Sequence, residues 1–198
     1  MTKGLQTRER ILDTAFRLAA QHGLEGMSLS QLAAELKLSK SGLFAHFGSK
    51  EELQLEMLRT ASERFTNKVM LPAFKKPRGL PRIQVLFEGW RRWATDRSLP
   101  GGCIFVAATA ELDDREGRVR DYLVSQQRAL LDSLARSARI AIEAGHFRRD
   151  LDTAQFAFDS LAIYLAFHEL HRLLREPNAE RQARRAIARL LADAATRN

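Results

Sequence analysis

The segments SLSQLAAEL (residues 28–36) and SKSGLFAH (residues 39–46) decide the fold of this chain. In the first segment, Ser28 and Gln31 form a capping box, in which each side chain satisfies a backbone N–H group that a helix start leaves unpaired. Leucines and alanines then recur at helical spacing. A two-residue turn follows, and Ser39 can cap the second segment. The pattern predicts two short helices on either side of a tight turn.

The second of these short helices has two different faces. Leu43, and Phe47 just beyond the helix, are expected to point inward, whereas the outward side carries only small or polar residues such as Lys40 and Ser41. A helix with small exposed side chains fits deeply into the major groove of B-DNA, where its first residues reach the base edges. The segment is therefore a candidate DNA-reading helix of a helix-turn-helix.

Longer helices are predicted on both sides of this pair. A first helix is expected from Thr7, which can cap it, to about Gln21. A fourth helix begins after Ser49, with Glu51 and Glu52 in its first turn, where the helix dipole favours acidic side chains. Two short helices between two longer ones are the usual setting of a helix-turn-helix.

Helical periodicity also dominates after the proline-rich stretch from Pro72 to Pro81, and no run alternates long enough to suggest a strand. The predicted fold class is all-α: an N-terminal three-helix helix-turn-helix DNA-binding domain (residues 1–50), then a larger helical bundle (residues 51–198), about nine helices in all. A connector helix over about 50–70 opens the second domain. The later helices are expected at about Arg82–Asp96, Gly102–Leu112, Glu116–Ala144, Thr153–Arg175 and Ala179–Ala195.

The chain carries a net charge of +8 over 198 residues. This surplus favours nucleic acid or anionic lipid as a partner, although a basic helical surface alone would give the same number. The single cysteine, Cys103, excludes an intrachain disulfide framework and fits a reducing compartment. Neither a secretory signal nor a membrane-spanning stretch is recognisable. We therefore expect a soluble, cytoplasmic protein without a membrane partner.

Three stretches are similar to the DNA-binding region of the TetR family of repressors. They are TRERILDTA (7–15), SLSQLAAEL (28–36) and LSKSGLFAHFGSKEEL (38–53), so the resemblance covers about residues 7–55. Spacing, caps and the Phe-x-x-Phe and Ser-Lys-Glu ending agree together. The rest of the chain resembles the family only in length, helix count and helix order. The resemblance implies that residues 51–198 form a ligand-binding and dimerisation domain.

The resemblance implies roles for individual residues. Lys40, Ser41 and Gly42 stand where the family's recognition helix meets bases or nearby phosphates. Ser28, His46 and Lys50 stand where members of the family contact the phosphate backbone, and a lysine at a helix start suits an anion. For each of these residues a solvated surface, a helix cap or local packing is the alternative interpretation. The predicted DNA-binding set is Ser28, Ser39, Lys40, Ser41, Gly42, His46 and Lys50.

Three residues depart from the family pattern. Phe44 stands where the family often has a tyrosine whose hydroxyl meets a phosphate, so that contact is lost. Ala45 replaces a commonly larger residue. Lys37 occupies a turn position that is usually glycine; if its backbone is left-handed, the side chain costs on the order of 1 kcal/mol. None of these departures removes the motif.

The last two helices are candidates for a homodimer interface. A short reading helix gives little operator affinity alone, and a dimer places two of them about one DNA turn apart on a palindromic site. The resemblance implies an intersubunit four-helix bundle built from these helices. Monomer core is the alternative. The predicted interface residues are Ala157, Leu161, Leu165, Leu173, Ala183, Ile187, Leu190 and Leu191.

A third group of residues, aromatic or small and polar, is a candidate effector pocket. Apolar walls with a few hydroxyl, amide and imidazole groups suit a small, largely apolar or aromatic ligand, although a core closed by bulky side chains has the same composition. If these side chains share one bundle interior, they line the pocket of an effector whose identity the sequence does not give. They are Phe87, Trp90, Trp93, Cys103, Phe105, Thr109, Tyr122, Gln126, Phe158, Tyr164 and His168.

No residue pattern indicates a catalytic or metal site. Cys103 follows two glycines near a helix start, where a thiol can be activated for sensing, but a buried structural cysteine is the default interpretation. His168 and His171 are three residues apart rather than the four of a zinc protease helix, and no third ligand is evident. We expect no cofactor, no metal and no enzyme activity.

Together these features favour a ligand-responsive transcriptional regulator, a repressor that binds double-stranded operator DNA as a homodimer and is released by a small-molecule inducer. One alternative is a DNA-binding protein of the same type that acts on a partner protein rather than on transcription. An enzyme that uses the aromatic pocket, and an amphipathic membrane binder that uses the Arg-rich C-terminal helix, are further alternatives.

Overall fold

The computed structural model describes residues 3–99 and 102–196. In these residues the chain is helical, apart from one antiparallel bridge between Phe147 and Ala195, which confirms the all-α prediction. The described residues form two compact units. Unit 1 comprises residues 3–63, 97–99 and 102–125, and unit 2 comprises residues 64–96 and 126–196.

The helix-turn-helix lies where the sequence predicts it. Helix α2 spans Leu29–Leu36 and helix α3 spans Lys40–Phe47. Helix α1 covers Lys3–His22, so it begins a turn before Thr7, which lies inside the helix rather than at its cap. The reason is that the residues before Thr7 contain no proline and continue the helix without strain.

The helical stretch that starts with the fourth helix extends beyond residue 70, where the connector helix is predicted to end. Helix α4 runs over Lys50–Phe65, a π-helical segment covers Thr66–Met70, and helix α5 follows over Leu71–Phe74. Pro72 therefore lies inside a helical stretch instead of marking its end. Proline is tolerated there because it occupies the first turn of α5, where its missing N–H costs little hydrogen bonding within the helix.

The remaining helices follow the predicted order. Gly79, with φ 88°, precedes α6, and Asp152 caps α9 by accepting hydrogen bonds from the amides of Ala154 and Gln155. The bounds are α6 Leu80–Thr95, α7 Ile104–Leu112, α8 Arg118–Glu143, α9 Thr153–Arg172 and α10 Ala179–Ala194.

The hydrophobic core of unit 1 joins the three N-terminal helices to distant parts of the chain. Ile11 and Leu32 are fully buried, and so is Ala108 of α7. Val119 and Leu123 of α8 belong to the same cluster. The helix-turn-helix is thus supported by residues about a hundred positions further along the sequence.

The core of unit 2 is rich in aromatic side chains. Phe147 and Phe156 are buried with their ring centroids 5.5 Å apart, and Trp90 stacks on Tyr164 at 4.3 Å. Helices α9 and α10 pack against each other, and α6 packs against α9. In the described part of the chain, no helix is long and apolar enough to cross a membrane.

Candidate nucleic-acid interface

Helix α3 presents a polar, accessible face. Lys40, Ser41 and Ala45 are exposed, whereas Leu43 and Phe47 are buried in the core of unit 1. Phe44 is also 42% exposed, so the expectation that the outward side carries only small or polar residues is wrong at this position. Leu43 and Phe47 are the two apolar anchors that fix the helix on its inner side. The N-terminal residues that the sequence predicts to reach base edges therefore face solvent, as a DNA-reading helix requires.

The start of α3 is organised by Ser39. Its hydroxyl oxygen accepts a hydrogen bond from the Gly42 amide at 3.0 Å and lies 3.0 Å from the Ser41 hydroxyl. A Cβ on residue 42 would lie 3.2 Å from that oxygen, which is a tight approach. Gly42 therefore leaves room for the cap as well as for a close approach of DNA.

Arg8 braces α3 from the first helix, a role that sequence reasoning did not assign to it. Its Nη1 donates to the His46 carbonyl at 2.7 Å, and its guanidinium lies 4.4 Å from the centroid of the Phe47 ring. An ion pair of 3.1 Å joins it to Glu56 of α4. Because Arg8 uses its donors in this way, it acts first as a support for the reading helix.

A second support holds the turn between α1 and α2. The Glu111 carboxylate of α7 accepts hydrogen bonds from the amides of Leu24 at 3.0 Å and Glu25 at 2.8 Å. Gln54 of α4 donates to the Leu24 carbonyl at 2.9 Å. Gly23, with φ 80°, allows the close approach, since a Cβ there would lie 2.8 Å from the Glu111 carboxylate. We call these contacts the turn clamp.

Lys50 also belongs to the turn clamp. Its ammonium donates to the Glu25 carbonyl, and the residue is half-buried. An ammonium group has three protons, so this bond leaves donors for a phosphate. The structure thus gives Lys50 a role within the protein, and its phosphate contact stays a prediction.

The other predicted phosphate contacts are caps or packing residues that also reach the surface. Ser28 is exposed, and its hydroxyl accepts from the Gln31 amide at 3.5 Å. His46 is half-buried, with its ring 6.5 Å from that of Phe47. Each therefore has a structural role, which does not prevent a contact with a phosphate.

Two backbone and charge features complete the geometry of unit 1. Lys37 has φ 56° and ψ 39°, so this turn residue is left-handed. Arg118 of α8 pairs with two acids in the first turn of α4, with Glu52 at 2.5 Å and with Glu51 at 3.3 Å. The hydrogen bond to Glu52 raises the pKa of Arg118 above its usual value. This cation offsets the charge of two acids close in sequence to Lys50.

The expectation that all predicted pocket residues face one interior is wrong. Phe158 is 63% exposed and Thr109 is exposed, its hydroxyl donating to the Phe105 carbonyl at 2.8 Å. Position 158 lies two residues from the buried Phe156, on the opposite side of α9. Phe105 and Tyr122 instead pack on the core of unit 1. The buried Cys103 lies in unit 1 as well, whereas Gln126 lies in unit 2.

In unit 2 the aromatic residues mostly close the core. Phe87, Trp90 and Tyr164 border a cavity of only about 20 Å³, enough for little more than one water molecule. The pKa of His168 is lowered, chiefly because burial removes water from the imidazole and then because the positive charge of Arg172 is nearby. For these predicted pocket residues, the alternative interpretation of a core closed by bulky side chains therefore holds.

Trp93 lies at a larger cavity. It borders a space of about 470 Å³, and its buried Nε1 has no hydrogen-bond partner among the described residues. Lys68 and Asp96, which form an ion pair of 2.8 Å, lie at the same cavity. The walls are Lys68, Pro72, Gln84, Val85, Glu88, Gly89, Arg92, Trp93 and Asp96.

The predicted interface residues divide into buried and exposed ones. Ala157 and Ala183 are buried within the single chain, so their assignment to an intersubunit surface is wrong; they lie on the sides by which α9 and α10 meet neighbouring helices of unit 2. Leu165 and Leu173 are 41% and 73% exposed. Leu161, Ile187, Leu190 and Leu191 are partly exposed.

Two supports of the reading helix, Glu111 and Gln54, have no signal in the sequence. Glu111 lies 86 and 87 residues from the amides that it accepts from. Among the described residues, no cluster of three or more histidine, cysteine, aspartate or glutamate side chains is placed to hold a metal ion.

The comparisons with known proteins come from both parts of the chain. The model of bacterial regulatory proteins of the tetR family matches residues 11–57. The model of the tetracyclin repressor-like C-terminal domain matches residues 79–187, which is more than half of the chain. Both the reading helix and the turn between α1 and α2 lie inside the first match.

Relatives and solved structures agree with these models. The chain is 36% identical over 102 residues to the HTH-type transcriptional repressor AcnR of Corynebacterium efficiens, covering 48% of this chain and 54% of AcnR. It therefore spans about half the length of that curated relative. A TetR transcriptional regulator from Chloroflexus aurantiacus shares the fold with a TM-score of 0.84 at 24% identity, over 97% of this chain and 96% of that one.

A second solved structure was determined with its ligands. AibR in complex with isovaleryl coenzyme A and operator DNA shares the fold with a TM-score of 0.79 at 22% identity, over 95% of this chain and 99% of that one. At this identity the likeness establishes the fold of the chain and not its ligand.

Proposed function

The chain belongs to the TetR family of bacterial regulatory proteins, and from this premise we propose that it is a repressor that binds a palindromic operator as a homodimer and leaves it when a small inducer binds. A DNA-binding transcriptional regulator is what the family and its named relatives have in common. The observation that supports the proposal most is the exposed start of α3 above two buried anchors.

The proposed operator contacts divide into reading and anchoring. Lys40 and Ser41 read base edges at the start of α3, and Gly42 lets the helix backbone approach the groove. Ser28, Ser39, His46 and Lys50 contact phosphates, which fix the register of the helix on the duplex without reading sequence. The exposure of Lys40, Ser41 and Ser28 supports these contacts, because it leaves the three side chains accessible to DNA.

The proposed dimer uses exposed apolar side chains of α9 and of Leu173, which follows its last residue. Leu165, Leu173 and Phe158 are between 41% and 73% exposed in the single chain. Burying such a side chain is worth roughly 1.5–3 kcal/mol, and in a two-fold interface every contact occurs twice. Helix α10 contributes Leu190 and Leu191 to the same proposed interface.

We place the inducer in the cavity beside Trp93. The apolar walls from Pro72, Val85 and Gly89 suit a largely apolar or aromatic body, and the buried indole N–H offers a hydrogen bond to an acceptor on the ligand. The inducer shifts the equilibrium only as far as its affinity differs between the operator-binding form and the released form, typically by 1–3 kcal/mol.

The test of the function is a genome-wide pull-down followed by binding measurements on the recovered fragments. We expect few sites, each palindromic and in a promoter, and footprints whose sequence preference changes in Lys40→Ala. Lys76→Ala removes the same charge at an exposed position outside unit 1 and should leave the preference unchanged. Many scattered sites outside promoters would instead favour a protein that acts on a partner rather than on transcription.

A further inference from the structure

The segment that leads into α6 is strongly basic. Residues 64–87 contain no aspartate or glutamate. The proposed operator contacts use none of this charge, since all of them lie between residues 28 and 50. The cationic residues of the segment are Arg64, Lys68, Lys75, Lys76, Arg78 and Arg82.

Part of this charge meets α8 at a cavity. The space measures about 290 Å³ and lies within unit 2, between the segment before α6 and the middle of α8. Its volume is at the lower end of the range of small-molecule sites, which is about 300–1,000 Å³. Its walls are Phe74, Arg78, Gly79, Arg82, Ser133, Arg136, Ser137 and Ile140.

Three guanidinium groups border this cavity without a carboxylate beside them. Among the described residues, none of Arg78, Arg82 and Arg136 forms an ion pair, and no acid lines the space. The acid closest in sequence to Arg136 is Asp132, which is exposed one turn earlier on α8 and is not part of the wall. Such a concentration of like charge is stabilised by an anion.

Arg82 is held in place while its buried Nε donor stays unused. Its Nη2 donates to the carbonyls of Phe74 at 3.3 Å and Lys76 at 3.2 Å, and its guanidinium lies 5.5 Å from the Phe74 ring. Its Nε is buried and finds no acceptor in the described part of the chain. A buried N–H without an acceptor is costly, and an anion in the cavity would satisfy it.

The start of α6 adds to the positive potential. Gly79 lines the cavity and precedes this sixteen-residue helix, whose N-terminus no side chain caps. Partial positive charge collects at such an end. The hydroxyls of Ser133 and Ser137 donate to carbonyls of their own helix at 2.7 and 2.8 Å, so the arginines carry the recognition.

We propose that this cavity binds the phosphate group of a small phosphorylated molecule. Guanidinium forks match the geometry of phosphate oxygens, and three of them suit a group that carries about two negative charges at neutral pH. A concave wall favours a small soluble ligand over a flat lipid surface or a duplex. The proposal concerns a second site, and it holds whether or not the inducer binds beside Trp93.

The experiment is calorimetric titration of the full chain with glycerol phosphate and with inorganic phosphate, compared with chloride at equal ionic strength. We expect saturable binding of the phosphates to the wild type, and at least about tenfold weaker binding to Arg136→Gln and to Arg78→Gln, because each variant removes one charge-assisted contact. Arg139→Gln removes the same charge from an exposed neighbouring position of α8 outside the wall and should bind within about twofold of the wild type.

Other outcomes would overturn the proposal. Equal losses of phosphate affinity in Arg136→Gln and Arg139→Gln would mean that phosphate binds through the overall positive charge of the surface and not in this cavity. Binding only to vesicles that contain phosphatidic acid would assign the surface to a lipid headgroup. If the soluble phosphates do not bind and Arg136→Gln weakens binding to a random DNA duplex more than Arg139→Gln does, the basic wall belongs to the DNA interface. Thermal melts of all three variants check that each is folded.

Discussion

At the residue scale, Lys37 shows how far a single side chain departs from what its backbone needs. Its φ of 56° is a conformation in which the Cβ of an L-residue is crowded, and glycine is free of that cost. The left-handed turn nevertheless forms, because Leu32, Ala33 and Leu43 on both sides of it are buried. The lysine is tolerated at this position, but a glycine there is expected to make the folded protein more stable.

We predict that Lys37→Gly stabilises the protein by about 1 kcal/mol, which raises the melting temperature by roughly 2–4 °C. Thermal unfolding followed by circular dichroism measures the change. Lys75→Gly is the control, because Lys75 has an ordinary φ of −73° and gains nothing from glycine. An unchanged or lower melting temperature in Lys37→Gly would show that the lysine side chain compensates for its backbone.

Glu111 shows the opposite case, a residue far from the reading helix on which the helix depends. We predict that Glu111→Gln lowers operator affinity on the order of tenfold, because an amide replaces one of the two oxygens that hold the amides of Leu24 and Glu25. Fluorescence anisotropy with operator DNA measures the affinity, and hydrogen exchange at those two amides should become faster.

Glu116→Gln is the matched control for this variant, since it removes the same negative charge at an exposed position of unit 1. Loss of an acid by itself strengthens binding to DNA. A fall in affinity with Glu111→Gln alone therefore reports the turn clamp. Equal affinities of the two variants would show that the clamp does not position the reading helix.

At the scale of helices, a group of charges joins α6 to α10. Glu88 accepts two hydrogen bonds from Arg91, at 3.0 and 2.6 Å, and Arg91 also pairs with Glu180 of α10 at 3.0 Å. The hydrogen bonds and the charge of Arg91, followed by a hydrogen bond from Arg92 and the charge of Arg184, hold the pKa of Glu88 at about 2 against the effect of burial.

This shift predicts a pH dependence of stability. The carboxylate of Glu88 stabilises the folded state fully above its unfolded pKa of about 4.5, and the contribution is lost as the pH falls towards about 2. The unfolding free energies of the wild type and Glu88→Gln, measured with urea, should differ at pH 7 and converge progressively as the pH falls from about 4.5 towards about 2. Glu143→Gln, at an exposed position of α8, should show no such convergence. If the difference in unfolding free energy between the wild type and Glu88→Gln stayed constant from pH 7 to low pH, protonation of Glu88 would not contribute to acid unfolding.

At the scale of the whole molecule, exposed apolar side chains determine the oligomeric state that we propose. We predict that Leu165→Glu converts the dimer to a monomer with unchanged helix content, because the side chain is 41% exposed in the chain and the charge would be buried twice in a two-fold interface. Light scattering after gel filtration measures the mass. Leu71→Glu, at a leucine 45% exposed on α5, is the control. A dimer that survives Leu165→Glu would place the interface elsewhere.

The charge of the molecule predicts a salt dependence of operator binding. We expect the logarithm of the association constant to fall linearly with the logarithm of salt concentration, by about 0.9 for each phosphate neutralised. Lys50→Ala should flatten the slope by about 2 for a dimer, one phosphate for each subunit. If the affinity falls and the slope does not change, Lys50 acts only through its bond to the Glu25 carbonyl.

The sequence by itself determined the helix-turn-helix, the all-helical fold class and the family. These follow from interactions between residues that are close in the chain: the caps at Ser28 and Ser39, the helical spacing of the leucines, and the turn at Lys37. Because such interactions reach only three or four residues, they are visible in one sequence and survive in the structure almost unchanged.

The tertiary structure alone decided which side chains support the reading helix and which apolar faces are free. Glu111 meets its partners across 86 and 87 residues, and Phe158 differs from Phe156 only in which side of α9 it occupies. The spacing of apolar residues reveals that a helix has a buried side, but it does not say which other helix covers that side. The packing of distant helices makes that choice, and it therefore placed the turn clamp, the filled aromatic core and the arginine-lined cavity.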